Sequence, residues 1–212
     1  MTGTGGTAPS GPGIAGFHPT PDDGTRLTGT LPWDEPSRPR YPLPAEPRQY
    51  SDLELSVPRN LVAIHDHLRG ELDRIRDIVD QVADGAMPPG AARSHVNDMT
   101  IRQNQWTLGA YCQSYCRVVT GHHTIEDASM LPHLRSADPA AAPVVDRLEA
   151  EHRVIADVLD DVDRALVALV ADEDGAMERL RHVVDVLTDV LVSHLSYEER
   201  ELAHPLARFG MH

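Results

Sequence analysis

Six residues carry the pattern with the most definite chemistry: His65; His122 with Glu126 four positions on; His152; and His194 with Glu198 four positions on. Imidazole nitrogen and carboxylate oxygen together are the donors of iron, zinc and manganese. Any one piece is bland, because a lone inward histidine is usually a hydrogen-bonded core residue and a His-x-x-x-Glu pair is usually a surface helix pair. Four inward imidazoles and two inward carboxylates at one level are another matter. Buried carboxylates without partners are costly, and a cluster of cations offsets that cost. Six donors exceed the needs of one tetrahedral zinc. Two metals bridged by Glu126 and Glu198, with two histidines each, fit the count. Pairing His65 with His122 and His152 with His194 is one partition, which spacing alone leaves open.

The elements that must position these residues are helices. Residues 1–52 are rich in Gly, Pro, Thr and Asp, and prolines from Pro19 to Pro47 exclude a helix there. That stretch is expected to be an extended or disordered arm, and residues 53–212 to form one helical domain. Four helical segments are predicted: about Pro58 to Asp84, Ala91 to Leu131 with Pro132 ending or kinking it, Pro139 to Ala171, and Asp174 (as a cap) to His204-Pro205. Short links between them predict an all-α, up-down-up-down four-helix bundle.

Helical phase sorts the histidines. Leu61, His65, Leu68, Leu72, Ile75 and Val79 share one face, while His67 falls on a polar one. Leu108, Tyr111, Tyr115, Val118, His122, Ile125 and Glu126 line up on the second segment, and Leu148, His152, Ile155, Leu159 and Val162 on the third. Val183, Leu187, Val190 or Leu191, His194, Glu198 and Leu202 do so on the fourth. His152 lies about 19 residues before Ala171 and His194 about 19 after Gly175, so at a rise of about 1.5 Å per residue their heights match. The first link is less even, since His65 lies about 20 residues before Gly85 and His122 about 31 after Ala91. An excess of about 11 residues requires a break, a short extra helix or a loop near residues 91–101.

Composition narrows the function. The chain has 212 residues, 41% apolar and only 4% aromatic, with a formal charge of −14. That charge disfavours nucleic acid and anionic membrane surfaces, which need a basic face. No run of 18 apolar residues suggests a membrane span, and MTGTGGTAPSGPG lacks the basic-then-apolar order of a secretory signal. Cys112 and Cys116, one helical turn apart, read as free thiols, which places the chain in the cytoplasm.

The motifs IHDHLRGEL, HHTIED followed by MLPHL, LEAEHRVI, and SHLSYEERE followed by HPL together resemble the hemerythrin-like, HHE cation-binding, domain proteins of bacteria, over about residues 58–208. The resemblance implies a non-haem di-iron centre in a four-helix bundle, held by His65, His122, Glu126, His152, His194 and Glu198. Its two irons would be joined by an oxo, hydroxo or water bridge, with zinc or manganese as lesser alternatives. Ala156 stands where oxygen carriers of the family have a further histidine, and their fourth-helix carboxylate corresponds to Glu199. Fewer protein ligands are therefore expected, with His123, Tyr115 or His67 as extra or substitute donors.

The leading expectation is a protein that binds or consumes oxygen, peroxide or nitric oxide, with no catalytic residue assigned. Tyr111, Tyr115, Cys112 and Cys116 are candidate electron or hydrogen-bond donors, against ordinary core packing. An oxygen or iron sensor working through the arm and a protein partner is a second class. A third is a ferritin-like di-iron carboxylate site built from Glu149-x-x-His152, Glu201-x-x-His204 and Glu71. His18 and His95 read as surface residues.

Overall fold

A computed structural model describes residues 14–43, 48–83 and 104–210, with the side chains of the second long helix described from Cys112 onward. Among the described residues the chain is all helical. The elements are α1 (Asp52–Ala83), α2 (Asn104–Ile125), a π-helical turn (Glu126–Met130), α3 (Leu131–Ala137), α4 (Ala142–Val170) and α5 (Ala176–Phe209). Single 3₁₀ turns occur at Glu35–Ser37 and Pro139–Ala141. Helix α1 packs on α5, α5 on α4, α4 on α2 and α2 on α1, a ring of four long helices around one interior. The break expected near residues 91–101, and His95, lie outside the described residues, as do the side chains of Leu108 and Tyr111.

Several boundaries differ from expectation for local reasons. Helix α1 starts six positions before Pro58, at a capping box. There the Ser51 amide and hydroxyl both donate to Glu54 Oε2, and the Glu54 amide donates to Ser51 Oγ. Asp174 does not cap α5. Gly175, at φ 70°, turns the chain into the helix, and no side-chain cap bond forms. Nor does Pro205 stop α5, which continues to Phe209. A proline inside a helix costs about 3 kcal/mol, but Ala203 and Ala207 on either side of it are buried with Ile14, Phe17 and Leu55. At Pro132 the π turn has a clear cause. The Leu131 amide donates to the Glu126 carbonyl five residues back, and the widened turn makes room for a ring that would strike an ordinary α-helical carbonyl.

Of three apolar clusters among the described residues, two divide the interior of the bundle. One holds Leu68, Leu72, Ile75, Tyr115, Val119, Ile155 and Leu191. The other holds Leu61, Met130, Leu131, Leu148, Tyr197 and Leu202. On each long helix the chemically loaded residues fall between the two. His65 lies between Leu61 and Leu68, Glu126 between Val119 and Met130, His152 between Leu148 and Ile155, and His194 between Leu191 and Tyr197. A polar layer is thus sealed on both sides by hydrocarbon. No described helix is long and apolar enough to cross a membrane.

Candidate metal centre

The helical pattern that buries Leu61, Leu68 and Leu72 also drives His65 inward, and α4 and α5 do the same for His152 and His194. Helix α2 departs from its expected phase. Val118 and Ile125 are exposed, and the inward face is Cys112, Tyr115, Val119 and Glu126. Val118 and Val119 are equally apolar, so periodicity could not choose between them. The tie is broken by Glu126 and His123, both buried, with His122 half-buried at the edge of the face.

The polar layer gathers seven donors into two groups. His65, His122, Glu126 and Glu198 offer atoms within 4.8 Å of one another, and so do His123, His152 and His194. His65 Nε2 lies 3.0 Å from His122 Nε2, and His152 Nε2 lies 3.1 Å from His194 Nε2. Glu126 connects the groups, with Oε1 at 3.1 Å from His122 Nε2 and Oε2 at 3.6 Å from His152 Nε2. Glu198 does the same, with Oε2 at 3.6 Å from both His65 Nε2 and His194 Nε2.

The outward nitrogens settle the tautomers. His152 Nδ1 donates to Asp127 Oδ1 at 2.7 Å, His194 Nδ1 to Glu151 Oε2 at 3.0 Å, and His65 Nδ1 to Glu199 Oε1 at 3.0 Å. With the hydrogen on Nδ1, each Nε2 presents a lone pair. The Nε2 lone pairs of His152 and His194 therefore face each other across 3.1 Å with nothing between them to share. All four oxygens of Glu126 and Glu198, and His123 Nε2, are buried without a hydrogen-bond partner. Converging lone pairs and orphaned carboxylates are the arrangement that a cation relieves.

Electrostatics says the same. Burial lowers the histidines, His65 and His122 to about 3 and His152 to about 4, so the rings stay neutral donors. Burial, reinforced by the nearby Glu198 charge, raises Glu126; burial also pushes Glu198 up to about 8. The donor set of five imidazoles and two carboxylates fits borderline metal ions.

A model of the hemerythrin HHE cation-binding domain matches residues 56–206. The chain belongs to the hemerythrin HHE family. No curated protein and no solved structure matches it. All seven clustered residues lie inside the matched hemerythrin region. Ala156 is exposed. His123 enters the cluster, its ring stacked on His152 with centroids 4.2 Å apart. Tyr115 does not, since its hydroxyl donates to the Leu68 carbonyl at 3.1 Å. His67 is exposed. Glu199 stands behind His65, and it is the oxygens of Glu198 that face the donors.

The ferritin-like set does not assemble in this hemerythrin domain. Glu149 pairs with Arg135, Glu201 accepts from the Tyr41 amide, Glu71 pairs with Arg74, and His204 meets Tyr50. Cys112 and Cys116 are both raised by burial, to about 12 and about 11, which makes them poor thiolates. Asp127 and Glu151, and the role of Glu199 behind His65, were missed in the sequence. Asp127 and Glu199 adjoin candidate donors in the chain, as Glu151 adjoins His152, but adjacency does not reveal that a carboxylate braces a ring on another helix.

Proposed function

We propose that this hemerythrin domain holds two iron ions between Glu126 and Glu198, one near His65 and His122 and the other near His123, His152 and His194, and that the pair binds or consumes a small oxidant. Bound iron would supply the redox electrons and the coordination positions for oxygen, peroxide or nitric oxide. The chain's own part is to keep the imidazoles neutral, orient three of them through Nδ1, and seal the layer from water with Leu61, Leu68, Leu148 and Ile155. The up-down-up-down order of the long helices, and the division into an arm (1–52) and a bundle (53–212), belong to the same reading. The observation that carries it is the pair of buried carboxylates whose four oxygens have no partner amid five imidazoles.

One observation favours binding without turnover, as in a carrier or sensor. His123 brings a fifth imidazole to the layer, so a bound metal pair would keep fewer open positions than the six expected donors alone would leave.

The test is anaerobic loading with ferrous iron, then exposure in turn to oxygen, hydrogen peroxide and nitric oxide, with iron count and visible spectrum recorded. Roughly two irons per chain and new charge-transfer bands are expected for a di-iron site. Repeated consumption marks an enzyme, and stoichiometric uptake a carrier or sensor. An iron count near zero, or a single zinc that iron does not displace, overturns the proposal.

A further inference from the structure

Residues 14–43 precede the region that the hemerythrin model matches, yet they reach the back of the polar layer twice. Arg38 is buried, and its guanidinium grips Glu151 at two points, Nε to Oε1 at 2.8 Å and Nη2 to Oε2 at 2.8 Å. Glu151 Oε2 is the atom that accepts from His194 Nδ1. Arg38 is itself seated between the rings of Trp33 and Tyr197, at 5.2 and 4.6 Å from their centroids, and donates to the Ser193 carbonyl. The same device recurs 18 residues earlier. The Thr20 amide donates to Glu199 Oε2 at 2.7 Å, while Glu199 Oε1 takes His65 Nδ1 and Arg69 Nη1. The two histidines reached in this way fall in different donor groups, one in each.

We propose that the N-terminal arm is part of the metal centre's outer shell, with Arg38 acting through Glu151 on His194 and the Thr20 amide acting through Glu199 on His65. This rests on the metal reading of the site. Arg38 and Thr20 are positioning residues. A carboxylate behind an imidazole fixes its rotation and strengthens it as a donor, and whatever holds that carboxylate sets both effects. The Arg38 guanidinium also adds a fixed positive charge one residue removed from the donors. Arg147 holds Glu151 Oε1 as well, at 2.6 Å, so loss of Arg38 loosens Glu151 without freeing it.

The experiment uses the full chain with Arg38→Gln, Arg38→Lys and, as a control for arm attachment, Tyr41→Phe, which loses the bond to Asp138. Ferrous-iron affinity is measured by chelator competition, and midpoint potential by redox titration. Arg38→Gln is expected to weaken iron binding by up to about 10-fold and to lower the potential, because a nearby positive charge is gone. Arg38→Lys keeps the charge, so the potential returns toward wild type while affinity stays reduced. Tyr41→Phe changes neither. A purely structural arm would leave the potentials of all three variants alike, and that result overturns the inference. Thr20→Pro, which removes the amide hydrogen, tests the other half independently of how Arg38 variants fold. It is expected to weaken iron binding relative to Thr20→Val, and equal affinities there count against the proposal. Failure of the wild-type chain to bind iron would instead strike the metal reading itself.

Discussion

His194 and His123 offer donors to the same group and are held in opposite ways. His194 is fully buried, its Nδ1 fixed on Glu151, which Arg38 and Arg147 grip from behind. His123 sits three residues before the π turn, its ring lying flat on His152 and its Nε2 without any partner. One ring is oriented before any ion arrives; the other presents an orphaned nitrogen that an ion would satisfy. Preorganised donors spend less of the binding energy on ordering themselves, so the two should differ in what they contribute.

Three changes probe that difference, from large to small. His194→Ala is expected to reduce metal affinity by more than about 100-fold, beyond the range typical of outer-shell changes. His123→Ala should cost about 10-fold, in line with a donor not braced in advance. Equal losses, measured by chelator competition, would erase the contrast. Asp127→Asn tests bracing directly at His152. Asp127 is partly exposed, and weakening its 2.7 Å bond should cost about 10-fold in affinity. No change there would mean that bracing matters little anywhere in the layer.

The pH dependence separates the carboxylates from the rings. Glu198, pushed up to about 8, holds a proton below that pH which the metal must displace. Affinity should therefore rise with pH by up to about tenfold per unit for each proton displaced from the two raised carboxyls, Glu198 and Glu126. Calorimetry in buffers of different ionisation heats is expected to detect that proton release at pH 7. The folded pKa of Glu198 exceeds its unfolded value, so its stabilisation is complete below about 4.5 and is lost as pH rises through about 8. Metal-free protein should accordingly melt at a lower temperature at pH 9 than at pH 7. The histidines are depressed to about 3 or 4 and titrate on the acid side, so they do not mask this. The smallest effect is expected from Tyr115→Phe, which should cost about 1 kcal/mol through its bond to Leu68 and leave metal binding unchanged.

How much of this was legible follows from what periodicity can see. His65, His152 and His194 sit among leucines and isoleucines at steps of three and four, and the structure buries all three. Helix α2 hid its phase, because Val118 and Val119 are interchangeable to a pattern and the residues that decide are a histidine and a glutamate. To a periodic pattern Glu151 is one more charge on an acidic helix. Its importance depends on Arg38, 113 residues away in a segment with no period at all. Pro205 and Asp174 misled for a related reason: local propensity gave way to burial at one and to a glycine turn at the other.

The most direct test of a two-metal layer is anomalous scattering from crystals of the iron-loaded chain, recorded at wavelengths on either side of the iron edge. Two iron peaks are expected with Glu126 and Glu198 between them, one within bonding reach of His65 and His122 and the other of His123, His152 and His194. A single peak, or iron lying outside this layer, would contradict the account.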